Sequence, residues 1–172
     1  METKIIDNFL NQEELDTVKS NLVSTDFPLY CIGDVSGVEE SLNMRKENWN
    51  FYLSHVFFNG DDIKSNYYRD VYKMFIPKIK EIYPFKALMR IKLNFYPYND
   101  TLREHPVHVD THYSHYGALF SLNTCDGFTR LHDGTKVDSI ENRMLFFDPS
   151  LPHNSSNTTN DYGRSNINFN FL

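Results

Sequence analysis

The chain holds only two cysteines, Cys31 and Cys125, in 172 residues. That is too few for a disulfide framework at this size, so a reducing, cytoplasmic setting is expected. No apolar run approaches the roughly 18 residues of a membrane span. Met1-Glu2-Thr3-Lys4 does not begin a secretory signal peptide either, so no membrane partner is expected. Positive charge is scarce: 17 Lys and Arg stand against 23 Asp and Glu, for a net charge of -6 and a pI near 5.6. Generic binding to nucleic acid or anionic membrane needs a basic surface, so both are excluded beyond a local groove. A glycine-rich phosphate loop and a fixed-period repeat are missing too, which removes P-loop nucleotide chemistry and solenoid folds. Alanine occurs twice, at Ala87 and Ala118, against 18 asparagines, a skew that suits an AT-rich genome of the phage kind.

What is present reads as one globular domain over residues 1–172. Apolar residues make up 40% and aromatics 15%. A chain of this length buries about two-thirds of its unfolded surface. Residues 1–85 read as helical support and substrate-side segments, and residues 86–172 as a strand-rich core.

Residues 4–10 predict a short strand running into a helix. Asn11 is placed as N-cap, Glu14 completes a capping box, and Leu10 and Leu15 form a hydrophobic staple. Leu15, Val18 and Leu22 then share one face. Residues 26–48, with Pro28, Gly33, Gly37 and the charged run MRKEN, predict no regular structure. Trp49 to Phe58 reads as extended. Asp61 or Asp62 is expected to cap a helix bearing Ile63, Tyr67, Val71, Met74 and Phe75, kinked or restarted at Pro77 and continued by Ile79 and Ile82.

From Leu88 the period changes from helical to two. Met89, Ile91, Leu93 and Phe95 take one face of a strand, and Arg90, Lys92, Asn94 and Tyr96 the other, facing solvent or a barrel interior. Extended runs follow at Val107-Asp110, Gly117-Asn123, Gly127-Asp133, Arg143-Asp148 and Arg164-Leu172, with tight turns expected at Asp126-Gly127 and Asp133-Gly134. In the last run Ser165, Ile167, Phe169 and Phe171 face one way and Arg164, Asn166, Asn168 and Asn170 the other. Helices first and many short strands afterwards give a mainly β fold with helices (α+β), a β-sandwich or jelly roll backed by N-terminal helices.

The polar residues of that half converge on one pattern. His108 and Asp110 stand two apart in an extended segment and so point to one side. His153 offers a third ligand, held by Pro152 before it, and Arg164 follows 11 residues later. Two histidines and a carboxylate on one face of an ion, with the other face open, make the facial triad of non-haem Fe(II) oxygenases. An H-x-D alone is a common chance pattern and reads equally as a surface loop pair. The later His and basic residue give it weight. An inward Arg164 with Asn166 beside it forms a carboxylate cradle.

These segments resemble a known family. HVDTHYSHYGALFSLNTCDGFTRLHDG, ENRMLFFDPSLPHNSS and GRSNINFNF look like the Fe(II)- and 2-oxoglutarate-dependent oxygenases, within them the small prolyl-4-hydroxylase-like branch of phages and marine bacteria. The likeness covers roughly residues 86–172, with a weaker echo at the first helix. It implies a distorted double-stranded β-helix, a cupin-like jelly roll with iron in its mouth. It implies His108, Asp110 and His153 as Fe(II) ligands and Arg164 as the grip on the distal carboxylate of 2-oxoglutarate, with O2 taking the last iron site. Arg stands where a prolyl-hydroxylase subgroup carries Lys. The implied reaction hydroxylates a C-H bond, of a protein side chain with prolyl among the options, and releases succinate and CO2.

Other residues keep two readings. Asn166 is a strand hydrogen bond or a ligand contact, and Tyr96 and Asn94 touch 2-oxoglutarate or fill space beside it. Arg143 forms a structural salt bridge or meets substrate. His112 or His115 falls at the pocket rim, with His115 the candidate substrate contact. Two rival functions remain at this stage. One is another metal-dependent enzyme on a similar barrel, an isomerase or hydrolase; the other is a barrel without catalysis that binds a partner. The cupin pattern of H-x-H with a following Glu is not present, and a hydrolase has no use for the Arg164 cradle.

Overall fold

The computed structural model describes residues 2–24, 26–35 and 49–172. Strand β1 (Lys4–Ile6) leads into helix α1 (Gln12–Leu22). The capping box forms as the sequence predicts. The Asn11 side chain accepts from the Glu14 N-H at 2.9 Å, and the Glu14 carboxylate accepts from the Asn11 N-H at 2.9 Å. Leu10 and Leu15 are both buried behind it. Asn11→Ala is expected to cost about 1 kcal/mol, read as a lower urea midpoint at unchanged slope.

Strand β2 (Tyr30–Ile32) corrects the expectation of no regular structure over residues 26–48: it pairs along the edge of β3 (Tyr52–Asn59). Residues 36–48, the MRKEN run among them, lie outside the described residues. The second helix also starts later than expected. Asp62 and Ile63 form a short strand, β4 (Asp62–Ile63), folded back on β3 with Asn59 opposite Asp62. Gly60 takes φ +70° in the two-residue turn Gly60-Asp61, so a glycine-led hairpin turn outcompetes an aspartate cap. Helix α2 (Tyr68–Ile82) has Tyr67 at its N-cap and runs through Pro77. Burial of Phe75, Ile76 and Ile79 on either side of the proline holds it helical against the loss of one backbone bond.

The strand-rich half supplies β5 (Leu88–Pro97), β6 (Tyr116–Ser121), β7 (Phe128–Arg130), β8 (Lys136–Asp138), β9 (Arg143–Phe147), β10 (Asn154–Ser155) and β11 (Gly163–Phe171). Among the described residues an eight-stranded antiparallel sheet runs β1-β9-β6-β11-β5-β3-β2, with β4 beside β3. A smaller sheet, β10-β7-β8, closes over one end of it. Asp133-Gly134 does turn the β7–β8 hairpin, whereas Asp126-Gly127 makes no hairpin. The Asp126 carboxylate instead accepts from the Thr158 hydroxyl at 2.6 Å and the Thr159 N-H at 2.9 Å, tying down the approach to β11. Val107-Asp110 forms one isolated bridge rather than a strand.

The two faces of the large sheet have different tasks. Its outer face packs Ile91, Leu93, Phe120, Phe146, Ile167, Phe169 and Phe171 against α1 and α2. At its centre Phe75 of α2 meets Phe120 and Phe169, ring centroids 4.9 and 5.1 Å away. The inner face carries a small apolar cluster, Leu119, Leu145 and Phe147 with Leu131 and Val137. The rest of it is polar, from Arg90 to Tyr96 on β5 and from Arg164 to Asn170 on β11. Period-two alternation therefore builds both the core and the pocket from the same two strands. No helix of the described residues is long and apolar enough to cross a membrane.

Candidate metal and 2-oxoglutarate site

His108 and His153 are brought side by side by their backbones. The His108 N-H donates to the His153 carbonyl and the His153 N-H to the His108 carbonyl, each at 2.9 Å. Their ring centroids lie 4.6 Å apart. Each ring is then turned by its own Nδ1. That of His108 donates to the Pro106 carbonyl at 3.3 Å, and that of His153 to the Leu151 carbonyl at 3.0 Å. With the proton on Nδ1, both Nε2 lone pairs remain for a metal. Asp110 is fixed by its N-H on the Pro149 carbonyl, 2.9 Å. One ligand atom from each of His108, Asp110 and His153 lies within 4.8 Å of the others.

The Asp110 carboxylate is held by one oxygen. Oδ2 accepts from Asn170 at 2.8 Å, from Arg90 Nη2 at 3.0 Å and from Asn168 at 3.4 Å. Oδ1 stands 3.8 Å from His108 Nε2 and is left for the ion. Burial works to raise the Asp110 pKa, but Arg90 and the neighbouring donors overcome it and bring it to about 2. Burial lowers His108 to about 4, helped by His153. At neutral pH the carboxylate is therefore ionised and His108 neutral, the forms a metal needs.

Arg164 lies in the same pocket, toward its other end. It is 1% exposed, the largest fully buried side chain of the described residues. Nη2 donates to Thr129 Oγ1 at 2.7 Å and Nη1 to the Ser156 carbonyl at 3.3 Å, while Nε has no partner. Tyr96 stacks beside the guanidinium, 5.7 Å from ring centroid to Cζ. No acidic side chain among the described residues makes an ion pair with it, and burial pushes its pKa down. A buried cation without a counter-ion is costly, and an incoming dicarboxylate offsets that cost. The cradle fits 2-oxoglutarate on this ground: three nitrogens of a fork, one of them unsatisfied, and a hydroxyl.

Asn94 and Asn166 face each other across β5 and β11 inside this pocket, bonded at 3.1 Å. The Asn94 and Asn168 side-chain oxygens are buried without partners. Arg143 is not brought here. It forms a two-pronged pair with Asp7, 2.6 and 2.9 Å, which pins β9 to the β1 end. Of its two readings this is the structural salt bridge, and the substrate contact is not formed from here. His115 is buried rather than at the rim. Its Nδ1 meets Thr111 and Tyr113, and its Nε2 accepts from Asn170 at 3.2 Å, which steadies the amide that holds Asp110. His112 is exposed because the chain turns directly after Asp110.

Sequence reasoning missed four lining or supporting residues. Arg90 grips Asp110, and Thr129 receives Arg164. Lys92 faces the metal end, donating to the Tyr52 hydroxyl at 3.3 Å. His105 is sandwiched between Trp49 and Tyr96 with its Nδ1 on Ser155, and burial drops its pKa to about 3. The period-two face of β5 names Arg90 and Lys92 directly; it was their partners that needed the fold.

No protein-family model and no curated protein sequence matches the chain. Solved structures do. A 2OG-Fe(II) oxygenase family oxidoreductase from Burkholderia pseudomallei aligns over 98% of this chain and 84% of that one, with TM-score 0.70 and 7% identity. A prolyl hydroxylase from Trichoplax adhaerens, in complex with a hypoxia inducible factor peptide fragment, aligns over 98% and 83%, with TM-score 0.62 and 12% identity. The viral collagen prolyl hydroxylase of Paramecium Bursaria Chlorella virus-1, as its 2OG complex, aligns over 99% and 94%, with TM-score 0.55 and 13% identity. The fold is the one these oxygenases have. The jelly roll expected from the order of helices and strands is thereby confirmed. At such low identity the likeness extends to the fold, and the chemistry rests on this chain's own side chains.

Proposed function

We propose that the protein is an Fe(II)- and 2-oxoglutarate-dependent oxygenase that hydroxylates a C-H bond, with a protein side chain as substrate and prolyl as one option. The observation that carries this reading is Arg164. A fully buried guanidinium without a carboxylate partner shares one pocket with three metal-ligating side chains. A metal hydrolase has a use for the triad but none for that cation.

In this reading His108 Nε2, Asp110 Oδ1 and His153 Nε2 hold Fe(II). Arg164 and Thr129 bind the distal carboxylate of 2-oxoglutarate, Tyr96 forms the wall beside it, and Asn166 with Asn94 lines the floor between cradle and metal. Iron, O2 and 2-oxoglutarate would together supply the oxidation, with succinate, CO2 and the hydroxylated substrate as products. Leu119 and Phe147 line the pocket beside these groups and limit its water. The peptide bound to the Trichoplax relative supports a protein substrate. The test is succinate release with ferrous iron and 2-oxoglutarate, screened against proline-bearing peptides. Release that needs both iron and His153 supports the reading, and 2-oxoglutarate left intact under every condition contradicts it.

Gly127 bears on the cradle. A Cβ there would sit 2.6 Å from the Asn157 carbonyl oxygen and 2.7 Å from Arg164 Cδ. Gly127→Ala is expected to displace the guanidinium stem, destabilise the fold by about 1–3 kcal/mol and weaken 2-oxoglutarate binding. Calorimetric titration of the folded variant checks it.

A further inference from the structure

The charges inside the barrel do not balance once the proposed ligands are assigned. Among the described residues Lys92, Arg164 and Asp110 line the pocket and Arg90 reaches it through Asp110, while the Asp34 carboxylate acts on the nearby Tyr52 hydroxyl. Arg90 is taken by Asp110. Arg164 would take the distal carboxylate of 2-oxoglutarate, and the other carboxylate of that co-substrate would go to the metal. Among the described residues Lys92 makes no ion pair of its own, and Asp110, already held by Arg90, acts on it only through space. Its neighbours are the Tyr52 hydroxyl at 3.3 Å and the Tyr52 ring at 5.2 Å.

Position says which ligand Lys92 would meet. Along the inner face of β5 the order is Arg90, Lys92, Asn94, Tyr96. Opposite them on β11 stand Asn170, Asn168, Asn166 and Arg164. Successive inward residues are about 7 Å apart. Lys92 is therefore one step from the pair that holds the metal ligand Asp110 and two steps from the pair at the Arg164 cradle. Directly opposite it, the Asn168 side-chain oxygen is buried and unpartnered. A donor with no ion pair of its own among the described residues and an acceptor that lacks a donor thus face the same space beside the triad.

We propose that this oxygenase acts on a substrate bearing a carboxylate, which docks on Lys92 and the Tyr52 hydroxyl while an N-H or O-H of the same substrate donates to Asn168 Oδ1. The inference rests on the oxygenase reading above and replaces its prolyl option: a neutral prolyl side chain in mid-peptide would leave Lys92 unpaired. The carboxylate belongs to a free amino acid or to an aspartyl or glutamyl side chain, and the test separates these sources.

The full chain is loaded anaerobically with Fe(II) and 2-oxoglutarate and its melting temperature followed with two sets of probes. One set is the free L-amino acids; the other is the same residues with N-acetyl and C-amide caps. Wild type, Lys92→Met and Lys92→Arg are compared. The expected result is that stabilising probes all carry a carboxylate: free acids if the α-carboxylate is recognised, capped Asp or Glu if the side chain is. Their affinity should fall at least about tenfold in Lys92→Met, the worth of one charged hydrogen bond, and recover in Lys92→Arg. The stabilisation by 2-oxoglutarate itself should stay within about twofold in Lys92→Met. Stabilisation by a capped neutral residue such as proline, or by no probe in either set, overturns the proposal. So does loss of the 2-oxoglutarate effect in Lys92→Met, which would assign Lys92 to the co-substrate. A wild type that 2-oxoglutarate does not stabilise at all overturns the oxygenase reading instead.

Discussion

Asp110→Ala is expected to weaken ferrous iron binding by more than about a hundredfold, since even residues that only orient metal ligands are worth about 10- to 100-fold. Two effects add. The ion loses the anionic ligand of the triad, and among the described residues at the pocket Arg90, Lys92 and Arg164 lose the one carboxylate that counters them. The repulsion of a dication then rises in a site screened from water. The free protein should also lose about 1–3 kcal/mol, because Arg90, Asn168 and Asn170 donate to a group that has gone. Asp110→Asn separates the contributions. It keeps the shape and removes the charge, so its metal affinity should fall nearly as far while stability falls less. Metal-dependent quenching of Trp49 and a urea titration read the two quantities.

Arg164→Met is expected to behave in the opposite way toward stability. Most substitutions of a large buried side chain lower the melting temperature. Here the wild-type residue is a buried cation with no ion-pair partner and an unsatisfied Nε. Methionine follows the same path into the barrel without that charge, and replacing buried ionic groups by apolar ones of similar size is often neutral or stabilising. The free variant should therefore melt no lower than wild type. Its affinity for 2-oxoglutarate should fall by at least about thirtyfold, the low end of the roughly 2–5 kcal/mol lost when one partner of a buried charge pair is truncated. Melting curves with and without 2-oxoglutarate show both results at once. A variant that is strongly destabilised yet still binds would mean that Arg164 is a structural residue.

Much of this was legible before the fold was known, and the physical reason lies in short-range rules. The period of two in β5 and β11 separated Ile91, Leu93, Ile167 and Phe169 from Arg90, Asn94, Arg164 and Asn166. The capping box at Asn11 and Glu14 depends on four neighbouring residues and was readable for the same cause. What stayed hidden depends on long-range pairing. The partner of Arg143 is Asp7, 136 residues away. His115 looked like a rim residue from its place near Asp110, and the turn after Asp110 carries it inward to Asn170. Lys92 was visible as a polar-face residue, but that it makes no ion pair of its own among the described residues appears only when the other charges at the pocket have been paired. Asp61 and Asp62 resemble helix caps, but Gly60-Asp61 turns a hairpin there and helix α2 starts later.

The most direct test of the account is an anaerobic titration of the metal-free protein with ferrous iron and then 2-oxoglutarate, followed by visible absorption. The account predicts a charge-transfer band that appears only when both are present. The band is lost in His108→Ala, and in Arg164→Met it demands a higher 2-oxoglutarate concentration. No band, with zinc bound tightly in place of iron, would contradict it and point to a metal-dependent hydrolase or isomerase on the same barrel.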